Sequence, residues 1–225
     1  MRYDDIREAV FLDRPNRFIA HVLLNGERVI CHVKNTGRCR ELLVPGARVI
    51  LNKGTAPGRR TAYDLVSVYK GTRLINMDSQ APNAVAAEYM PRLFPDHAEL
   101  RREVTCGDSR FDFYGVRSGR PFYLEVKGVT LEQDGMVYFP DSPTERGVKH
   151  LRELAQLQRS GTNAHVLFVV QMRGVIALQA NRTTDPAFAD ALLEAKAAGV
   201  GVHAVDCLVH AEEVGANEPV RVEYV

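Results

Sequence analysis

Asn25-Gly26 falls midway along the run Phe18 to Val33, in which apolar and polar residues alternate imperfectly on either side of the dipeptide. Asn-Gly is the pair that most readily takes the positive φ angles of a type I′ turn, so the run predicts two antiparallel strands folded back on each other. The chain is thereby expected to open with a hairpin. Pro45-Gly46 marks another turn before Arg48-Val49-Ile50-Leu51, and Tyr63 to Tyr69 with Arg73-Leu74-Ile75 supply further short β segments. About five short strands in so small a span predict a small barrel, with the oligonucleotide-binding (OB) fold the natural candidate and an SH3-like barrel the alternative.

Beyond Ser79-Gln80-Ala81-Pro82-Asn83, which reads as a linker, the pattern changes. Ala84 to Leu93 predicts a short helix, and Arg110 to Val116 and Phe122 to Val129 predict two strands facing each other across Ser118-Gly119. A longer helix then starts at Ser142 as N-cap, with Pro143 in its first position and Glu145 completing a capping box, and Gly161 ends it. Val148, Leu151, Leu154 and Ala155 form its apolar stripe. Ala164 to Val170 predicts a buried strand, and a helix over about Asp185 to Ala198 leads into a strand over Val202 to Val205. The expected architecture is an OB-like barrel over residues 1–80 and an α/β domain, a mixed sheet flanked by helices, over residues 81–225.

The charge follows the same division. Before the linker stand 14 Lys plus Arg against 8 acids, giving +6; after it 15 stand against 20, giving −5. Lys34, Arg38, Arg40, Arg59 and Arg60 belong to the densest basic stretch, which favours a polyanion. The first residues carry charges throughout, no apolar run is long enough for a leader or a membrane span, and Cys31, Cys39, Cys106 and Cys207 show no CxxC pair. A cytoplasmic protein with reduced thiols and no membrane contact is expected, and the oligomeric state, a dimer included, stays open.

The chemistry concentrates in the central hairpin. Asp112 lies in Arg110-Phe111-Asp112-Phe113-Tyr114, and Glu125 and Lys127 lie in Tyr123-Leu124-Glu125-Val126-Lys127, each charged residue flanked by apolar ones. A hairpin centred on Ser118-Gly119 sets Asp112 opposite Glu125, and the two-residue period puts Lys127 on the same face as Glu125. Carboxylates that close repel unless a cation sits between them, and hard oxygen ligands suit Mg²⁺ or Mn²⁺. Such an ion would stabilise charge on a phosphodiester, and Lys127 would orient the attacking water or help deprotonate it. The expected catalytic set is Asp112, Glu125 and Lys127 on a nuclease-like core of the PD-(D/E)XK type.

Asn35-Thr36-Gly37, Ser109-Arg110-Phe111-Asp112-Phe113, Tyr123-Leu124-Glu125-Val126-Lys127, Val129-Thr130-Leu131 and Phe139-Pro140-Asp141 through Thr144-x-Arg146-Gly147-x-Lys149-His150-Leu151-x-Glu153-Leu154 carry a resemblance to the sugar fermentation stimulation protein A family. The resemblance implies an N-terminal OB-type domain, a C-terminal PD-(D/E)XK nuclease-like domain, and nonspecific DNA binding linked to regulation of sugar (maltose) metabolism. Where the family has a Cys-Pro pair before Asn-Thr-Gly, this chain reads Val33-Lys34. The nuclease architecture nominates Glu88 as a third metal ligand, with Glu103 as the second choice. Arg146, Lys149 and His150, three and four residues apart on the long helix, are expected to contact phosphate together. Two functions compete: a DNA-binding protein with a nuclease-like metal site, and an active Mg²⁺- or Mn²⁺-dependent nuclease hydrolysing phosphodiester bonds in DNA or RNA.

Overall fold

The structure, a computed structural model, describes residues 1–35 and 37–224. Thr36 of the Asn-Thr-Gly motif lies outside the described residues, as does Val225. The first strands are β1 (Ile6–Asn16), β2 (Ile19–Leu24), β3 (Glu27–Val33), β4 (Arg48–Lys53), β5 (Tyr63–Lys70) and β6 (Arg73–Asn76). Asn25 and Gly26 take φ of 51° and 85° and bring Leu24 opposite Glu27, as a type I′ turn requires. The hairpin is therefore present, but the chain opens with β1, not with the hairpin. Register shifts after Phe11 and Asp13 break the alternation of β1, so its sequence does not read as a strand.

The strands run β3-β2-β1-β4-β5, and a parallel pairing of β3 with β5, Cys31↔Tyr63 to Val33↔Leu65, closes the ring into a five-stranded barrel of OB type. That pairing decides against the SH3-like alternative. Phe11, Val22, Cys31, Val49, Leu51 and Leu65 point inward and fill it.

The second half comprises α1 (Ala81–Leu93), β7 (His97–Cys106), β8 (Ser109–Arg117), β9 (Arg120–Val129), β10 (Leu131–Gln133), β11 (Met136–Phe139), α2 (Glu145–Arg159), β12 (Asn163–Val170), β13 (Ala177–Ala180), α3 (Pro186–Ala197), β14 (Gly201–Val209), β15 (Val214–Pro219) and β16 (Val222–Glu223). A mixed sheet in the order β15-β14-β12-β9-β8-β7 forms its centre, and a small sheet, β10-β11-β13-β16, lies beside it. β12 runs parallel to both β9 and β14 and is apolar on both faces. Its Leu167 and Val169 join Val85, Ala86 and Met90 of α1, whereas Val166, Phe168 and Val170 join Leu151 and Leu154 of α2 and Phe188 of α3. Each of the Val, Leu, Phe and Met side chains among these contributes roughly 1.5–3 kcal/mol on burial.

Two expectations about helix starts are corrected. The segment read as a linker is not one: α1 begins at Ala81, with Pro82 in the first turn, where the missing N–H costs nothing. The residues before it are fixed in place. Asn76 Oδ1 accepts from Gln171 Nε2 at 2.8 Å, Asp78 Oδ1 accepts from the Gln80 N–H at 2.9 Å, and the barrel core runs on into residues of α2, β12 and α3. The N-cap of α2 is Thr144, not Ser142: its hydroxyl accepts from the Gly147 N–H at 3.0 Å while Asp185 Oδ2 accepts from its own N–H at 2.8 Å. Among the described residues, no helix is long and apolar enough to cross a membrane.

Candidate carboxylate site and basic groove

The β8–β9 hairpin keeps the expected register, Arg117↔Arg120 through Phe113↔Leu124, and then opens one pair short of Asp112 and Glu125. Asp112 is thus not in a ladder pair with Glu125. Its Oδ2 instead accepts from the Val126 N–H at 2.8 Å and its Oδ1 from Asn83 Nδ2 at 2.7 Å, so the side chain fills the gap where the strands part. Burial first, and the charge of Glu125 second, push the Asp112 carboxyl up; the Val126, Asn83 and Lys127 contacts only partly offset this.

Glu125 is buried, and its Oε1 receives Lys127 Nζ at 2.6 Å and His150 Nδ1 at 2.5 Å. Burial alone would raise its pKa, but the bonds from His150 and Lys127 outweigh it and leave the carboxyl below its usual range. Glu125 Oε2 is also buried and has no hydrogen-bond partner among the described residues. A carboxylate oxygen in that position is expensive unless something positive reaches it. The donor chemistry fits a hard divalent ion, which Asp112 and Glu125 would hold. No group of three or more His, Cys, Asp or Glu side chains gathers as a metal cage among the described residues, so water and substrate oxygens would complete the shell, as Mg²⁺ commonly requires.

Glu88 is not brought to this site. It lies on the exposed side of α1, where Oε1 accepts from the Met1 amine at 3.0 Å. Five positions separate it from Asn83, which places the two on different faces of the helix. Asn83, hidden by the reading of its segment as a linker, supplies the contact from α1 instead. Glu103 does come near: with Asn83, Arg102, Asp112 and Phe113 it lines a cavity of about 300 Å³.

The trio on α2 is split. His150 is 3% exposed and clamps Glu125, with Arg146 Nε donating to its Nε2 at 3.4 Å, so it is not a surface phosphate contact. Lys149 faces elsewhere, donating to the Asp108 carbonyl at 3.2 Å and lining a cavity between α2 and the start of α3.

The basic residues of the barrel also divide. Lys34 Nζ is 2.7 Å from the fully buried Asp78, and Arg59 is 2.5 Å from Asp64, so both are held in ion pairs. Arg60 is exposed. Arg38 and Arg40, joined by Arg14 and Arg17, line a groove of about 510 Å³ beside the β1–β2 turn. Arg14 is a strut there, donating to the carbonyls of Arg17, Asn35, Gly37 and Arg38. Arg17, Arg38 and Arg40 remain as exposed cations. The groove adjoins the second domain: the Arg38 N–H donates to Asp141 Oδ2 at 3.0 Å, and a Cβ on Gly37 would collide with that oxygen. Two motifs far apart in sequence therefore touch, and the glycine permits the approach. Cys31 and Cys39 are buried free thiols, each pushed up to about 12 by desolvation, and His32 turns to Asp64.

Comparisons with known proteins fit this architecture. The family model for the sugar fermentation stimulation protein RE domain matches residues 80–213, and that for the SfsA N-terminal OB domain matches residues 12–77. The chain is 50% identical to a sugar fermentation stimulation protein homolog of Desulfitobacterium hafniense, over 100% of this chain and 99% of that one. It is 47% identical to the Clostridium beijerinckii homolog, over 99% of each. The solved structure of Pyrococcus furiosus SfsA in complex with Ca²⁺ superposes with a TM-score of 0.88 at 26% identity, covering 99% of this chain and 98% of that one. On the strength of both domain matches and of these full-length relatives, the chain belongs to the sugar fermentation stimulation protein family.

Proposed function

We propose that the protein binds DNA without sequence preference through its barrel, that Asp112 and Glu125 hold a divalent cation, Mg²⁺ or Mn²⁺, close to the bound strand, and that this binding serves regulation of sugar (maltose) metabolism in the cytoplasm. The observation that carries the DNA-binding part is the groove lined by Arg17, Arg38 and Arg40, exposed guanidinium groups beside the Asp141 loop that leads into α2. Guanidinium forks match phosphate oxygens in pairs, and among the described residues no helix lines the groove to read base edges. The cation part is supported by the unpartnered Glu125 Oε2 and by the Ca²⁺ bound to the Pyrococcus furiosus relative.

The second reading, hydrolysis of phosphodiester bonds in DNA or RNA, is favoured by Lys127. Its ammonium group is largely buried beside Glu125, a position more costly than a binding surface needs. A bound divalent ion would supply charge stabilisation on the phosphate and an acidified water. Within the chain, Lys127 and His150 fix the Glu125 carboxylate, and Asn83 and the Val126 N–H fix Asp112.

Salt titration tests the binding. Replacing Arg17, Arg38 and Arg40 together by Ala should lower duplex affinity about a hundredfold at low salt and flatten the slope of log K against log[salt] by about 2–3, since each phosphate contact contributes about 0.9. The loss should be equal for unrelated sequences. An unchanged slope would remove the barrel from the interface.

A further inference from the structure

The cavity beside Asp112 contains a cation that the expected nucleic-acid contacts do not include. Of those, Lys34 and Arg59 are neutralised by buried aspartates, Lys149 faces the α2–α3 cavity, and His150 is clamped on Glu125. Lys127, the lysine of the site itself, is paired with Glu125. Arg102 of β7 is different. It is exposed, it lines the cavity with Asn83 and Asp112, and among the described residues no carboxylate pairs with it.

Its neighbours each have other contacts. Arg101 stacks 4.7 Å from the Tyr114 ring and lies 3.7 Å from Glu99, while Arg110 lies 3.7 Å from Glu103. The Arg102 guanidinium stands 5.8 Å from the ring of Phe113, the residue after Asp112, to which its own backbone is paired across β7 and β8. Cross-strand pairing keeps the side chain on the same face as Phe113, and that face carries α1.

We propose that Arg102 is the phosphate-gripping residue of the carboxylate site: it binds the backbone phosphate that a nucleic-acid strand places in the Asp112 cavity. The inference deepens the function proposed above and rests on it. Asp112 and Glu103 make the cavity acidic, so a phosphate entering it is repelled unless fixed positive charge lies within reach. A cation held by Asp112 and Glu125 supplies part of that charge. Arg102 supplies the rest on the open side, as a planar fork able to take two phosphate oxygens. α1 adds to it: its first turn borders the cavity through Asn83, and its N-terminus has no side-chain cap.

The test is fluorescence anisotropy of a short labelled DNA duplex with the full chain, in Ca²⁺ and in chelator. Arg102→Ala should weaken binding about tenfold in Ca²⁺, the scale of a charge-assisted hydrogen bond lost. Arg102→Lys should weaken it by less, because it keeps the charge and loses the fork. Arg120→Ala, at the exposed tip of the β8–β9 hairpin, controls for simple loss of charge and should change binding less than twofold. Unchanged melting of Arg102→Ala excludes misfolding. Equal effects of Arg102→Ala and Arg120→Ala would overturn the proposal. The parent reading fails separately, if Ca²⁺ gives the unaltered chain no gain in affinity over chelator; an Arg102-specific loss in both conditions would still uphold the phosphate contact.

Discussion

Lys34→Met is expected to destabilise the protein by about 3–5 kcal/mol while leaving DNA affinity nearly unchanged, because removing one partner of a buried ion pair strands the other. The stranded group would be Asp78, which is fully buried and has the Lys34 ammonium 2.7 Å from its Oδ2. Its remaining contacts, the Tyr3 hydroxyl at 3.4 Å and the Gln80 N–H at 2.9 Å, bring dipoles but no positive charge. Asp78 also anchors the passage from the barrel into α1, so its loss should loosen both domains together. Urea unfolding measures the effect, and at about 2–4 °C per kcal/mol the melting point should fall by on the order of 10 °C. Adding Asp78→Asn should restore part of the loss, since the amide leaves no unpaired charge. A loss below about 1 kcal/mol combined with a tenfold drop in DNA affinity would return Lys34 to the nucleic-acid surface.

The second large effect concerns the carboxylates. An ion that binds only the native state stabilises it by RT ln(1 + [L]/Kd), about 2.7 kcal/mol at a hundredfold excess over Kd. Mn²⁺ should therefore raise the melting temperature by roughly 5–10 °C in a chain of this size. Asp112→Asn with Glu125→Gln should abolish the rise and any metal-dependent cleavage. In chelator the double variant should be less stable than the unaltered chain: relief at Asp112, whose carboxyl burial and Glu125 push up, is outweighed by the loss of the Glu125 charge that pairs with the largely buried Lys127. Lys127→Ala separates the two functional readings, since it should retain the Mn²⁺ shift and lose turnover. An equal shift in the native and double-variant proteins would place the ion elsewhere.

Local signals made parts of this structure legible. The β2–β3 hairpin followed from Asn25-Gly26, and α2 followed from the spacing of Val148, Leu151, Leu154 and Ala155, all buried in the structure. β1 and β7 gave no such signal. The register shifts in β1, and the positive φ angles of Glu99 and Glu103 in the charged, mostly exposed β7, destroy the two-residue alternation on which strand reading depends. The small sheet is built from segments of two to four residues, too short to show a period.

The site was legible to the same extent. Asp112, Glu125 and Lys127 stood out as charges between apolar neighbours, and their strands do pair in the expected register up to Phe113↔Leu124. The parting of the strands at that point is a tertiary effect, fixed by the Asn83 amide and by the carboxylate of Asp112 replacing a backbone partner. His150 and Lys149 are adjacent in sequence and point about 100° apart on a helix, and the edge of the core falls between them, with His150 turned in to Glu125 and Lys149 left outside, which spacing alone does not reveal. Whether a given basic residue is free or paired depends on how the chain folds back on its carboxylates, as Lys34 with the far-off Asp78 illustrates, and charge counting cannot see that.

The proposed function requires a divalent cation held by Asp112 and Glu125 beside an arginine-lined path for DNA. Anomalous scattering from crystals soaked in Mn²⁺ tests this most directly. The predicted result is one strong peak in contact with carboxylate oxygens of both Asp112 and Glu125, Glu125 Oε2 among them, absent from crystals of the Asp112→Asn, Glu125→Gln variant. No peak at these residues at millimolar Mn²⁺, or a peak that persists unchanged in the variant, would contradict it.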